Sequence, residues 1–78
     1  MATEFVLYIR HGCHLCDAFI EELSGYQQKW AFSYRLVDVD SDTQLAEQYG
    51  VRVPLLTLND EVICEYFLDP DKLAGHVN

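Results

Sequence analysis

The sequence has little positive charge, few cysteines and no long apolar run. Lys and Arg number 5 against 13 Asp and Glu, and the resulting net charge of −8 argues against nucleic acid or an anionic membrane as a partner. Three cysteines are too few for the disulfide framework of a small secreted protein. The apolar run 5–9 is too short for a signal peptide or a membrane span, and no basic region precedes it. We therefore expect a cytoplasmic protein.

The chain also lacks internal repeats, low-complexity tracts and linkers. Its 78 residues are half apolar, which is just sufficient for one core without disulfide support. We therefore predict a single domain over residues 1–78, and we expect a monomer.

A pair of cysteines, Cys13 and Cys16, follows the apolar run 5–9 and opens a segment with apolar residues at helical spacing. Two cysteines at this spacing, between a strand and a helix, are typical of a thiol–disulfide redox site. The attacking species is a thiolate, and the first turn of a helix lowers a thiol pKa through its unpaired N–H groups and its positive dipole end. Cys13 would lie where that effect is greatest. Cys16 would lie one turn away on the same face, where it can attack a mixed disulfide formed at Cys13.

The remaining residues predict four strands and three helices. Periodicity and turn residues place strands at 3–9, 32–39, 55–58 and 61–66, and helices at 13 to 23 or 24, 42–49 and 70–76. Gly25 is the candidate end of the first helix, and residues 26–31 are open to two interpretations, an extra turn of helix or a loop. Gly50 is predicted to end the second helix, and Ser41 or Asp42 to cap it. Asp69 followed by Pro70 predicts the start of the third.

The predicted order of elements is β-α-β-α-β-β-α, which makes this an α/β protein. The first β-α-β unit should cross over with right-handed connectivity and give parallel strands, and the later hairpin must be antiparallel. We therefore expect a four-stranded mixed sheet with helices on both faces.

Two stretches carry a family resemblance. They are Leu7-Tyr8-Ile9-Arg10-His11-Gly12-Cys13-His14-Leu15-Cys16 and Val51-Arg52-Val53-Pro54-Leu55-Leu56. Together with the order of elements over the whole chain, they resemble the thioredoxin fold. The chain is as short as proteins of the glutaredoxin branch. It most resembles the small bacterial glutaredoxin-like proteins that have no assigned substrate. The resemblance implies the strand order 2-1-3-4.

The resemblance also implies roles for single residues. Cys13 matches the family's nucleophile and Cys16 its resolving cysteine. Pro54 matches a cis proline that faces the dithiol, which leaves the Val53 backbone free to pair with an extended substrate. Arg10 stands where glutaredoxins usually have a lysine, and it would stabilise the thiolate or the carboxylate of a bound thiol.

Several positions depart from the glutaredoxin pattern. Glutaredoxins have a Gly-Gly pair at the end of the fourth strand, where this chain has Cys64-Glu65 followed by Tyr66. Side chains at these positions, and the charge of Glu65, disfavour close approach of glutathione, which the family uses as a co-substrate. The residues between the two cysteines also match neither glutaredoxins nor thioredoxins.

Other candidate residues have more than one interpretation. We expect His14 to be neutral near pH 7, with a modest tuning effect on Cys13 as the alternative. Cys64 is expected two strands away from Cys13, as a core or rim residue, with a third redox thiol or a glutathionylation site as the alternative. Zinc would need four ligands, and His11, His14 and Cys64 provide no second spaced pair, so no metal is predicted. A cluster bridged between two chains is conceivable only by family analogy.

Six aromatic residues are assigned to the core rather than to a ligand site: Phe5, Phe19, Trp30, Phe32, Tyr34 and Phe67. No residue pattern in the sequence predicts a cofactor site, so we expect none.

These observations together predict a thiol–disulfide oxidoreductase. Its partners would be a protein or small-molecule disulfide and an external reductant, either thioredoxin reductase or glutathione. One alternative is a glutathione-dependent monothiol exchange. Another is a non-catalytic binding module of the same fold, whose groove beside Pro54 docks a partner.

Overall fold

The computed structural model describes residues 3–77, which form a sheet with helices packed against it. The elements in chain order are β1 (Thr3–Ile9), α1 (His14–Tyr26), β2 (Phe32–Asp38), a 3₁₀ helix (Val39–Ser41), α2 (Thr43–Tyr49), β3 (Leu55–Leu58), β4 (Glu61–Glu65) and α3 (Pro70–Ala74). No helix in this part of the chain is long and apolar enough to cross a bilayer.

The sheet has the strand order β2-β1-β3-β4, which confirms the predicted topology. β1 pairs in parallel with β2, and β3 is antiparallel to both β1 and β4. The β3–β4 hairpin turns through Asn59 and Asp60. Both residues have positive φ, because a two-residue turn must match the right-handed twist of the strands that it joins. Because β1 and β4 run in the same direction, the ends of both lie at one edge of the sheet.

The core lies between the sheet and one layer of helices. Alternate residues of β1 point to the same face, so Phe5 and Leu7 pack against Phe19 and Leu23 of α1 and Leu73 of α3. On the opposite face of β1, the ring of Tyr8 stacks on that of Tyr49 in α2, with centroids 4.5 Å apart. Helices therefore cover both faces of the sheet, as predicted.

A β-bulge places two consecutive residues of β4 in the core. Leu56 pairs with Cys64 and Thr57 with Val62, which leaves Ile63 as the extra residue. Ile63 and Cys64 are both buried as a result. The alternating pattern of a regular strand would have pointed one of them away from the core.

The first helix is longer than predicted. Cys13 is its N-cap, and the helix continues through Gly25 to Tyr26. The prediction that Gly25 ends α1 is therefore wrong. Tyr26 packs against the core and its ring stacks on Trp30, with centroids 5.1 Å apart, which offsets the roughly 1 kcal/mol that a glycine costs inside a helix.

The other element boundaries differ from prediction by at most two residues. Val39, predicted to end β2, begins the 3₁₀ helix instead and is fully buried there. Asp42, one of the two predicted caps of α2, accepts one backbone N–H of the first turn, and Asp69 caps α3 as predicted by accepting two. β4 ends at Glu65 rather than at residue 66, and α3 ends at Ala74 rather than at residue 76.

Candidate active site

The two cysteines lie at the edge of the sheet where β1, β2 and β4 end and β3 begins. β1 is followed by a turn in which Gly12 has φ of +75°, a conformation that glycine adopts without steric cost. This turn delivers Cys13 to the N-terminus of α1.

Cys13 and Cys16 form a disulfide pair. Their sulfur atoms lie at bonding distance and their Cα atoms are 5.1 Å apart. The Cys16 backbone N–H donates to Cys13 Sγ over 3.0 Å, so the sulfur of Cys13 itself caps α1. Cys13 is partly exposed whereas Cys16 is only 2% exposed. A substrate therefore has access to Cys13 before Cys16.

Arg10 is held by Asp40, which follows β2. Its Nε and Nη2 donate to the two carboxylate oxygens of Asp40, each over 3.1 Å. The guanidinium passes over Gly50, where an added Cβ would lie 2.7 Å from Nη2 and would overlap the carbonyl oxygen of Ala46. The role of Arg10 beside the thiolate stays a prediction, and the ion pair reduces the charge it can offer there.

Val53 and Pro54 lie directly before β3. Their peptide bond is cis, as the resemblance implies. Pro54 is buried and its carbonyl accepts the backbone N–H of Tyr66 over 2.8 Å, while Val53 is partly exposed. The role of Val53 in pairing with a substrate chain stays a prediction.

Tyr66, directly after β4, binds the segment 51–54 at two points. Besides its backbone bond to Pro54, its hydroxyl donates to the carbonyl oxygen of Val51 over 3.1 Å. Tyr66 has φ of +65°, and Phe67 N donates to Glu65 O over 2.6 Å, which closes a tight γ-turn around it. Such a conformation is costly for an aromatic residue and persists because the surrounding contacts fix it.

Arg52 and Glu65 form a second link between the same two segments. Nε and Nη2 of Arg52 donate to the Glu65 carboxylate over 3.2 and 3.1 Å. The hydrogen bonds and charge of Arg52 hold the pKa of Glu65 below its usual value. The repulsion of glutathione carboxylates expected from Glu65 is reduced by this pairing.

His14 and Cys64 lie in contrasting environments. His14 is exposed at the first position of α1. Cys64 is buried and not disulfide-bonded, its Sγ lies 4.0 Å from the carbonyl oxygen of Asp69, and burial raises its thiol pKa. Within residues 3–77, no group of three or more His, Cys, Asp or Glu side chains is arranged to hold a metal ion.

The aromatic side chain of Phe67 is not in the core. It is 70% exposed, close to Tyr66 and on the side of the sheet where the cysteines lie, so its assignment to the core is wrong. The γ-turn explains this, because it redirects the chain immediately after β4. Phe5, Phe19 and Phe32 are buried as predicted, and Trp30 and Tyr34 pack partly buried against the core.

A family model described as Glutaredoxin-like domain (DUF836) matches residues 4–78. The chain belongs to this glutaredoxin-like family. A comparison with functionally curated proteins gave no match.

Solved structures of three proteins are similar to this glutaredoxin-like chain. The solution NMR structure of protein Ne2328 from Nitrosomonas europaea is 35% identical, with a TM-score of 0.88, over 100% of this chain and 94% of that one. The X-ray structure of protein XcR50 from X. campestris is 32% identical, with a TM-score of 0.74, over 91% of each chain. A malarial protein at 18% identity and a TM-score of 0.65, over 96% of this chain and 92% of that one, shares the fold.

Sequence reasoning missed the residues that hold the segment before Pro54. Arg52 and Glu65 are 13 positions apart, and Tyr66 and Val51 are 15 apart, so no local pattern indicates these contacts. The partner of Arg10, 30 positions away, was missed for the same reason. The hairpin register, once known, brings residues 52 and 65 to the same edge.

Proposed function

We propose that this glutaredoxin-like protein is a thiol–disulfide oxidoreductase that uses Cys13 and Cys16. The observation that carries the proposal is the capping of α1 by Cys13 Sγ, which accepts the Cys16 N–H over 3.0 Å. A helix N-terminus stabilises a thiolate at that sulfur and so increases its nucleophilicity at neutral pH. Membership of the glutaredoxin-like family supports the same chemistry.

The exposures of the two cysteine residues support a division of roles. Cys13 thiolate attacks one sulfur of a substrate disulfide, and the other substrate sulfur leaves as a thiolate that takes a proton from water. Buried Cys16 then loses its proton and attacks Cys13 Sγ, which releases the second substrate thiol. The substrate gains two electrons and two protons, and the protein is left with the Cys13–Cys16 disulfide. An external thiol reductant then restores the dithiol.

The cellular setting is part of the proposal. A dithiol that is restored after each turnover needs a reducing compartment, such as the cytoplasm, and a supply of thiol reductant. The reductant would be glutathione or a reductase of the thioredoxin type.

The first test is the intact mass of the protein after equilibration in graded mixtures of reduced and oxidised glutathione. We expect a reversible loss of two hydrogens, with a midpoint of roughly −200 to −270 mV. The variant Cys64→Ser should behave as wild type, because Cys64 is buried and takes no part in the Cys13–Cys16 disulfide. A chain that stays reduced across the whole series would contradict the proposal.

Variants of the two cysteines test the division of roles. Cys13→Ser should abolish disulfide reduction, whereas Cys16→Ser should accumulate a mixed disulfide at Cys13 that mass spectrometry detects. Unchanged turnover in both variants would overturn the proposed mechanism.

A further inference from the structure

A groove of about 160 Å³ lies between α1 and the segment after β4, on the side of the molecule that carries the cysteines. Its lining includes Leu15, Ala18, Phe19, Glu22, Phe67 and Leu68, with Tyr66 at one side. We call it the α1 groove.

The α1 groove exposes apolar side chains on both of its walls. Leu15 is 41% exposed on α1, and Phe67 is 70% exposed on the opposite segment. Isolated apolar residues on a surface need no explanation, but apolar residues that line one concave site are typical of a binding surface. An apolar cavity of about 150 Å³ accommodates a benzene molecule. The groove therefore matches the size of one large apolar side chain.

The positions on α1 give the distance of the groove from the reactive sulfur. Leu15, Ala18 and Glu22 follow one another at spacings of three and four, so they form one row along the helix. At a rise of 1.5 Å per residue, Ala18 lies about 7.5 Å along the helix axis from Cys13, and Glu22 about 13.5 Å. The groove therefore leads away from Cys13, with a carboxylate at its far end.

An extended chain that is bound at Cys13 and runs along α1 would match this spacing. A strand advances about 3.4 Å per residue, and every second side chain points to the same face. With a substrate cysteine at Cys13, the side chain two positions away reaches the level of Ala18. The side chain four positions away reaches Glu22.

The charge at the far end of the groove selects a cation. Within residues 3–77 the ion pairs are Arg10–Asp40 and Arg52–Glu65, so the Glu22 carboxylate makes no direct ion pair. The net charge of −8 favours a cationic partner in the same way and disfavours an anionic one.

We propose that the α1 groove is a substrate subsite for an extended polypeptide segment. The segment carries a disulfide-bonded cysteine, a large apolar residue two positions from it, and Lys or Arg four positions from it. This inference rests on the proposed function, because the segment's cysteine sulfur is the atom that Cys13 attacks. The disulfide of the segment is reduced by the two exchange steps already given, and the groove contributes binding alone.

The probe is a capped peptide, Lys-Ala-Phe-Ala-Cys-Ala-Phe-Ala-Lys, as a mixed disulfide with 2-mercaptoethanol. Its symmetry presents the pattern in either chain direction. The rate at which it oxidises the fully reduced protein is measured by acid quenching and intact mass. 2-Hydroxyethyl disulfide, which is small and uncharged, serves as the reference substrate, and the quantity compared is the ratio of the two rates.

Two variants change the groove. Ala18→Phe fills it, and the ratio should fall about tenfold, since the contribution of one large apolar side chain is lost. Glu22→Lys reverses the charge at its far end and should lower the ratio about three- to tenfold. The control Glu21→Lys makes the same charge change at an exposed neighbour that does not line the groove, and it should lower the ratio far less than Glu22→Lys does.

The peptide offers matching changes. Replacing both Phe residues with Ala should lower its rate on the wild-type protein about tenfold and abolish the effect of Ala18→Phe. Replacing both Lys residues with Glu should make Glu22→Lys the faster protein. A ratio that none of these changes affects, while both disulfides are reduced, would overturn the subsite and leave the proposed function standing.

If neither disulfide is reduced, a second measurement tests the peptide subsite separately from the proposed redox function. The same peptide with Ser in place of Cys is titrated into the oxidised protein and followed by amide NMR. Shifts at Leu15, Ala18 and Phe67 that Ala18→Phe removes would support the groove as a peptide site even though the redox proposal had failed. No shift at these amides would overturn the subsite.

Discussion

Arg52 and Glu65 form a two-point ion pair that joins the segment before Pro54 to the end of β4. Tyr66, the next residue after Glu65, adds a backbone and a hydroxyl hydrogen bond to the same segment. The segment before Pro54 is thus held to β4 by side chains as well as by the strand pairing that follows it. Its position depends on contacts that substitution can remove one at a time.

The Arg52–Glu65 pair should make stability depend on pH. The pKa of Glu65 is lowered by Arg52, so the contribution of the pair is present above the ordinary carboxyl value and is lost as pH falls through the lowered pKa. Denaturant unfolding of wild type and Glu65→Gln at a series of pH values should show a difference near pH 7 that disappears in acid. Both side chains are exposed, so we expect a small difference.

Glu61→Gln is the matched control for that experiment. Glu61 lies exposed at the start of the same strand and makes no ion pair within residues 3–77. Its substitution should not reproduce the pH-dependent loss. A Glu65→Gln effect that is constant or grows in acid would contradict the role given to Arg52.

At position 66, the usual order of stability of alanine and glycine variants should be reversed. In most ordered positions alanine gives the more stable protein, but at φ of +65° its Cβ is unfavourable and glycine is not. Tyr66→Gly and Tyr66→Ala lose the same ring and hydroxyl, so their difference isolates the backbone. We expect Tyr66→Gly to be the more stable variant by about 1 kcal/mol in chemical denaturation. Equal stabilities would mean that residue 66 does not keep the left-handed conformation.

Alanine substitutions at Gly50 and at Gly25 should change the stability of the protein in opposite directions. At Gly50 a Cβ would overlap the Ala46 carbonyl oxygen and crowd the Arg10 guanidinium, so Gly50→Ala should destabilise the protein by about 1–3 kcal/mol. Gly25 lies inside α1 with open space around it, so Gly25→Ala should stabilise by about 0.5–1 kcal/mol. Thermal and denaturant unfolding of the two variants measure both changes in stability. The same sign for both would refute this account of Gly50.

Cys64 should react far more slowly than Cys13 with iodoacetamide. In reduced Cys16→Ser the two remaining thiols can be compared within one molecule. Cys64 is buried and burial raises its pKa, so at pH 8 its alkylation should be at least about tenfold slower than that of Cys13. Peptide mapping of the alkylated protein gives both rates. Preferential alkylation of Cys64 would show that the buried position is wrong.

The raised pKa of Cys64 also has a consequence for stability. The folded protein keeps the thiol protonated at pH values where the unfolded chain has lost the proton. Stability should therefore fall as pH rises above the ordinary thiol value near 9, and Cys64→Ala should lack that part of the decline. Unfolding measurements between pH 8 and 10 should show the stability of wild type falling more steeply with pH than that of Cys64→Ala.

Features set by neighbouring residues were predictable from the sequence. Asp42 and Asp69 cap helices through contacts within three residues, and Asn59-Asp60 defines a turn by its own conformational preference. The strand directions followed from the handedness of crossover connections, and the strand order from the family resemblance. The position of Cys13 at a helix start was predictable in the same way, because it depends only on the preceding strand, a glycine and the apolar helical pattern that follows.

Features set by distant contacts were not predictable. Gly25 resembles a helix end in sequence, and only the packing of Tyr26 carries α1 past it. Phe67 resembles a core residue, because composition alone does not show that a γ-turn directs it outward. The acidic partners of Arg10 and Arg52, which are Asp40 and Glu65, became evident only when the sheet edge was assembled.

The capping of α1 by Cys13 Sγ ties a spectroscopic signal to the chemistry of the site. The amide proton of Cys16 points at the one sulfur atom whose bonding would change at every step of an exchange cycle. Its chemical shift should therefore differ between dithiol, mixed disulfide and internal disulfide. The protein thus contains its own unlabelled reporter, and a single NMR resonance could follow the redox state of the chain in real time.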